Sequence, residues 1–184
     1  IWQVYYLAEQ QQNLLEGTTP YYNHPGGKWL ESGVIRDVFE NKKGFWKNAN
    51  YVGVLSHRWP EKYSQGKGAD TSTIAEILSQ RQGNKVVSLW HGLHLYRAKH
   101  IQQDDKIRPG TLACFERITE LFGWQNTVSP TDSYPGTRWN AWVATPEVFE
   151  AYCEDLTKLM EFAETDSKLK ELINQPAPYK QGVE

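Results

Sequence analysis

The sequence predicts an α/β fold with a small mixed or parallel sheet. Three observations lead there. Short runs rich in β-branched and aromatic residues recur near 1–6, 51–56, 85–90 and 140–143. Segments with apolar residues at helical spacing separate them. Hydrophobic residues make up 39% of the 184 and charged residues 23%, enough for a packed core and too apolar for wholesale disorder. Strands alternating with helices pack as a layered sheet. The length fits a single α/β domain over residues 1–174, with a loosely ordered Pro-containing tail over 175–184.

Taken in order, Ile1 to Tyr6 reads as a first buried strand. The segment from Glu9 to Leu15 is polar and helix-permissive, and Gly17-Thr18-Thr19-Pro20 breaks it. Tyr21 to Gly27 reads as a loop from its Asn, Pro and Gly content. A helix fits Glu31 to Glu40, with Val34, Ile35, Val38 and Phe39 on one face. Lys42 to Asn48 is a basic, loop-like exit. Tyr51 to Ser56 is a second strand, closed by Pro60. Asp70 or Thr71 caps a helix to about Arg81, its apolar side formed by Ile74, Ile77 and Leu78. Lys85 to Trp90 is a third strand, and residues 91–108 carry no clear period. Thr111 to Phe122 is an amphipathic helix with Leu112, Phe115, Ile118 and Phe122 inward, and Asn126 to Pro135 is a loop. Asn140 to Val143 is a short strand. Thr145-Pro146-Glu147 supplies a cap, a first-turn proline and an early acid for the longest helix. Its buried stripe is Phe149, Tyr152, Cys153, Leu156, Met160 and Ala163, and a short helix follows over Asp166 to Ile173.

Several functions are disfavoured. Lys+Arg 20 against Asp+Glu 22 gives a net charge of -2, so no nucleic-acid partner is expected. No run reaches transmembrane length. Cys114 and Cys153 lack metal-ligand spacing and fit core positions on helices in a reduced, cytoplasmic compartment. Phosphate-loop, GxGxxG, HExxH and GxSxG motifs are absent.

In α/β sheets, ligands sit beyond the carboxyl ends of the strands. That rule singles out His57 and Arg58 after the second strand and Trp90 and His91 after the third. Arginine pairs bidentately with carboxylate or diphosphate, and histidine serves as donor or base near neutral pH. A scaffold pairing of Arg58 with Glu61 or Glu31 competes with ligand contact. Glu31 opens the helix that carries Arg36 and either binds a hydroxyl or complements the helix dipole. Asn140 and Trp142, two apart in a strand, share a face that lines the cleft or the core. Tyr22 and Asn23 belong to the loop set, as does Trp59 at its strand end. The aromatic content of 13% supplies both core and stacking platforms. His91 and His94 would form a metal-dependent hydrolase site only with a third ligand in geometry, for which His57, Asp104 and Asp105 are the candidates. Solvated surface is the blander reading.

Two blocks carry a resemblance. The first is Glu31-Ser32-Gly33-Val34-Ile35-Arg36 followed by Asn50-Tyr51-Val52-Gly53-Val54-Leu55-Ser56-His57-Arg58-Trp59. The second is Trp139-Asn140-Ala141-Trp142-Val143-Ala144-Thr145-Pro146-Glu147-Val148-Phe149-Glu150-Ala151-Tyr152-Cys153. Together they resemble a bacterial family of glycosyltransferase-like proteins from polysaccharide clusters, related to the capsular polysaccharide synthesis proteins. The resemblance implies a GT-A-like, nucleotide-diphospho-sugar transferase fold. It also implies transfer of a sugar from a nucleotide-sugar donor to a glycan or other hydroxyl acceptor. Glu31, His57, Arg58 and Asn140 match the family's marked positions. Glu31, His57 and Arg58 are the catalytic candidates. Tyr22, Asn23, Arg36, Trp59, Trp90, His91, His94, Asn140 and Trp142 are the substrate-binding ones. Such transferases hold Mn or Mg through an Asp-x-Asp element, whereas the third strand here ends Trp90-His91-Gly92. A metal-independent enzyme and a non-catalytic carbohydrate- or nucleotide-binding relative both stay open on these residues.

Overall fold

The computed structural model describes residues 1–24, 29–59, 71–89, 95–97, 109–124, 133–135 and 142–174. They fall in two units. Unit 1 holds Ile1–Leu93 and Thr137–Leu156, and unit 2 holds His94–Gly136 and Thr157–Glu184.

Unit 1 is built on a three-stranded parallel sheet. Its strands are β1 (Trp2–Tyr5), β2 (Thr19–Tyr22) and β3 (Val54–Ser56), in the order β2-β1-β3. In register, Val4 lies between Tyr21 and Ser56. An antiparallel pair adds β4 (Val86–Ser88) and β7 (Trp142–Ala144). Val52 joins the two sets, because it exchanges both backbone hydrogen bonds with Ala144, at 2.7 and 2.9 Å. Gly53 permits that approach. A Cβ there would meet Val143 Cγ1 at 2.6 Å and the Trp142 carbonyl oxygen at 2.7 Å, closer than packed atoms come. The result is a mixed α/β fold with a small 3+2 mixed sheet.

β2 corrects the sequence expectation, which reads these residues as a breaker and a loop. Thr19-Pro20-Tyr21-Tyr22 pairs with β1 alone and so is the edge strand. An edge tolerates a proline, whose missing N–H would interrupt an interior ladder. Four residues with one proline carry no period-2 signal strong enough to outweigh the Gly-Pro punctuation.

Helix α1 (Ala8–Gln11) follows β1. Gln10 Oε1 accepts from the backbone N–H of Tyr6 and of Leu7, at 2.9 and 3.2 Å, and so fixes the turn off the strand. Helix α2 (Leu30–Asn41) buries Val34, Ile35 and Val38, as its spacing predicts. Helix α3 (Lys43–Trp46) replaces the expected loop. Trp46 is fully buried, donates its indole N–H to the Val38 carbonyl at 3.0 Å, stacks on Phe39 and meets Phe149 edge-on. One apolar anchor in four residues has no periodicity to read. Helix α4 (Thr71–Gln80) packs Ile74 into a cluster with Leu55, Trp59, Val87, Leu89 and Val143. The Asp70 cap lies outside the described residues.

The buried polar residue of β1 is Gln3. Its carbonyl accepts from the Leu15 N–H at 2.8 Å and the Thr18 hydroxyl at 3.2 Å, and its amide donates to the Ser56 carbonyl at 3.4 Å. Full burial is tolerated because the side chain is satisfied.

Unit 2 contains the antiparallel pair β5 (Leu95–Arg97) and β6 (Ser133–Pro135), both in stretches that read as irregular. Helix α5 (Thr111–Leu121) has Thr119 as its buried residue, whereas Leu112, Phe115, Ile118 and Phe122 are half-buried. The Thr119 hydroxyl donates to the Phe115 carbonyl at 2.8 Å, which makes its burial affordable. Helix α6 (Pro146–Thr165) places its residues through Leu156 in unit 1 and the rest in unit 2. Phe149, Cys153, Leu156, Met160 and Ala163 form its buried stripe. Tyr152 departs from the expectation: it is exposed at the stripe's flank and meets the Trp142 ring edge-on at 4.8 Å. Helix α7 (Ser167–Ile173) is capped by Asp166, which accepts from the Leu169 N–H at 2.7 Å. Cys114 and Cys153 form no disulfide, and burial pushes the Cys153 thiol up to about 12.

Candidate functional site at the carboxyl edge of the parallel sheet

The strand order 2-1-3 fixes where a site can form. The connection from β1 runs to one side and the chain then returns to the other, so the order reverses between β1 and β3. A crevice opens at such a switch point, outside the carboxyl ends of the strands. Tyr6 leaves β1 there and His57 leaves β3. Their rings meet edge to face, with centroids 5.8 Å apart.

The polar core of the edge is Tyr6, Glu31 and Asn23. The Tyr6 hydroxyl faces the Glu31 carboxylate and the Asn23 side chain, close enough for both to act on its ionisation. Burial, and then the negative charge of Glu31, push the Tyr6 hydroxyl well above its ordinary range. The phenol therefore stays protonated near neutral pH and presents a hydroxyl to the carboxylate. Asn23 is placed by the last bond of the β2 edge, where its N–H donates to the Tyr5 carbonyl at 2.8 Å. Its amide also donates to the Leu30 carbonyl at 3.0 Å. Leu30 has φ +44, a left-handed backbone that non-glycine residues rarely adopt. That bend sits directly before Glu31 and sets where the first turn of α2 aims its acid. Strained backbone of this kind collects at functional sites.

The remaining expected residues divide. Glu31, His57, Asn23 and Tyr22 all come to this edge of unit 1, and Tyr22 is exposed and tilted against Tyr5 at 5.6 Å. Arg58 follows His57, exposed, with its backbone N–H on the Ser56 hydroxyl at 3.3 Å. Arg36 lies further along α2 and pairs with Glu40 at 3.9 Å. Trp59 is a correction to the expected stacking platform. It is 2% exposed inside the Leu55–Ile74–Val87 cluster, so its ring faces are already covered. Trp142 is half-buried against Tyr152. Trp90, His91, His94 and Asn140 lie outside the described residues, as do Asp104 and Asp105.

Tyr6 is the residue that sequence reasoning passed over. It ends the first apolar run, and the strand-end rule that singled out His57 applies to it equally. Among the described residues, no three His, Cys, Asp or Glu side chains stand together to hold a metal ion. The described residues therefore do not build the Mn or Mg site that the resemblance implies. No described helix is long and apolar enough to cross a membrane.

In comparisons with family models, curated proteins and solved structures, nothing matches the chain.

Proposed function

We propose that unit 1 carries the donor and acceptor site of a glycosyltransferase-like enzyme with a GT-A-like fold. The observation that carries this reading is the Tyr6–Glu31–Asn23 cluster beside His57 at the β1/β3 switch point. Glycosyl transfer needs a base for the acceptor hydroxyl and positive charge for the departing diphosphate. Glu31 is the base. It accepts the acceptor proton as the hydroxyl oxygen attacks the anomeric carbon and the bond to the diphosphate breaks. Tyr6 orients the carboxylate, and Asn23 in turn orients Tyr6. Arg58 and His57 lie on the β3 side, where they stabilise the charge that builds on the diphosphate. The donor is a nucleotide sugar and the acceptor a glycan or other hydroxyl compound, consistent with polysaccharide biosynthesis in a bacterium. No step is routed through a metal ion.

A thermal-shift screen against nucleotide sugars, with and without manganese, tests the reading. One donor at about a hundred times its Kd stabilises the protein by about 2.7 kcal/mol. Glu31→Gln retains that shift and loses transfer. A flat response to every donor removes the reading, and a shift without transfer by the unmodified protein converts it to a non-catalytic binder.

A further inference from the structure

Unit 1 has a second concavity, separate in chemistry from the carboxyl edge. It is a cavity of about 500 Å³ lined by the start of β1, the length of β2, Tyr51 and Val52, and residues of and around α3. That volume suits a small organic ligand. Tyr21, Tyr22, Phe45 and Tyr51 supply aromatic surface, the buried Trp46 backs it, and Lys42 is the cation of the lining.

The polar tips of Tyr21, Tyr51 and Trp46 are already engaged. The Tyr21 hydroxyl donates to Asp37 at 2.5 Å, the Tyr51 hydroxyl to the Asn84 carbonyl at 3.0 Å, and the Trp46 N–H to the Val38 carbonyl. Burial, and then the hydrogen bond to Asp37, hold the Tyr21 phenol in its neutral form. Tyr21 and Tyr51 therefore offer ring surface rather than donors. A ligand rich in hydroxyls would lose water here without replacement, which is costly. A flat ring would not, because offset and edge-on ring contacts are favourable. Phe45 is 80% exposed, a large apolar side chain that no described residue covers. Lys42 is partly buried, and none of the ion pairs among the described residues involves it. A cation so placed beside aromatic walls selects an anion.

We propose that this cavity binds a planar aromatic ring bearing a carboxylate, with the ring against Phe45 and Tyr21 and the carboxylate on Lys42. The proposal is independent of the glycosyl-transfer reading. Calorimetric titration with three probes tests it: 2-naphthoate, 2-naphthylmethanol and D-glucuronate. The naphthoate binds, the uncharged alcohol binds roughly tenfold more weakly because the charge-assisted contact is gone, and glucuronate does not bind detectably. Lys42→Met brings the naphthoate affinity down to that of the alcohol. Phe45→Ala weakens both naphthyl probes severalfold and, being a change at an exposed position, leaves the circular dichroism unchanged. Glu31→Gln leaves all three titrations unchanged, which separates this cavity from the carboxyl-edge site. Absence of naphthoate binding overturns the proposal. So do equal affinities for acid and alcohol, tighter binding of glucuronate, or a Lys42→Met protein that still discriminates acid from alcohol. The probe comparison on the unmodified protein decides even if a variant fails to fold.

Discussion

Among the described residues, a closely knit polar group in each unit invites comparison, and their surroundings differ. In unit 1, Tyr6 at the switch point of a parallel sheet links Glu31 on one side to Asn23 on the other, and the His57 ring meets its own edge-on. In unit 2, Asp166 is gripped by both the Nε and Nη2 of Arg117 and caps α7. Those bonds hold the Asp166 carboxyl down at about 2 and push the Arg117 guanidinium up. Both groups thus perturb an ionisation, and the shift alone does not tell a site from scaffold. Asp166 has its lone pairs taken by Arg117 and the Leu169 N–H, which leaves little for a ligand. Glu31 faces a neutral phenol, which orients the carboxylate without neutralising its charge. A shifted ionisation marks a site only where the topology also opens a crevice.

The largest expected effect breaks this contrast if it fails. Glu31→Gln lowers kcat of sugar transfer by about 10²–10⁴, the range for loss of a general base. The amide still accepts from Tyr6, so unfolding by urea shifts by less than about 1 kcal/mol. Tyr6→Phe lowers kcat by a smaller factor, because Glu31 loses the hydroxyl that orients it. If both variants lose stability instead of activity, the cluster is scaffold like that of unit 2.

A second variant separates the edge from the strands beneath it. Gln3→Leu keeps the side-chain size but leaves the Leu15 N–H, the Thr18 hydroxyl and the Ser56 carbonyl without their side-chain partner. Equilibrium unfolding in urea shows a loss of about 1–3 kcal/mol. Donor stabilisation persists in the folded fraction, since Gln3 is buried in the sheet and does not reach the edge cluster.

How far the sequence reached follows the same physics. Helices with several apolar positions were legible: α2, α4 and α6 lie within a residue or two of expectation because their spacing repeats over three or more turns. β1, β3, β4 and β7 were legible as apolar runs. β2 was not, since an edge strand containing Pro20 has no buried face of its own to announce it. The error had a consequence: without β2 there is no 2-1-3 order, and the switch point cannot be located. Glu31 and His57 were still reachable, one as a helix-opening acid and the other as a strand end. Tyr6 met the same strand-end rule but was passed over, because a tyrosine at the end of an apolar run looks like core. Its partner Glu31 is 25 positions away in the chain, and no local pattern joins them. Trp59 shows the converse, a strand-end aromatic that faces inward and packs.

The smallest expected effect is local to unit 2 and fixes what kind of group Asp166 is. Its folded-state value of about 2 lies below the ordinary 3.8, so the folded form prefers the carboxylate. The stabilisation is therefore complete above about pH 4 and is lost as pH falls from there toward 2. The hydrogen bond from the Leu169 N–H to Asp166 Oδ1 reports it directly. Amide hydrogen exchange at Leu169, corrected for the intrinsic pH dependence, shows protection that declines through this window. Asp166→Asn keeps an oxygen that can cap the helix and removes the charge. In that variant the Leu169 protection is lower at neutral pH and flat between pH 4 and 2. A variant that keeps the acid-dependent loss would assign the transition to another carboxylate, and the polar group of unit 2 would no longer stand as an electrostatic cap against which Glu31 is contrasted.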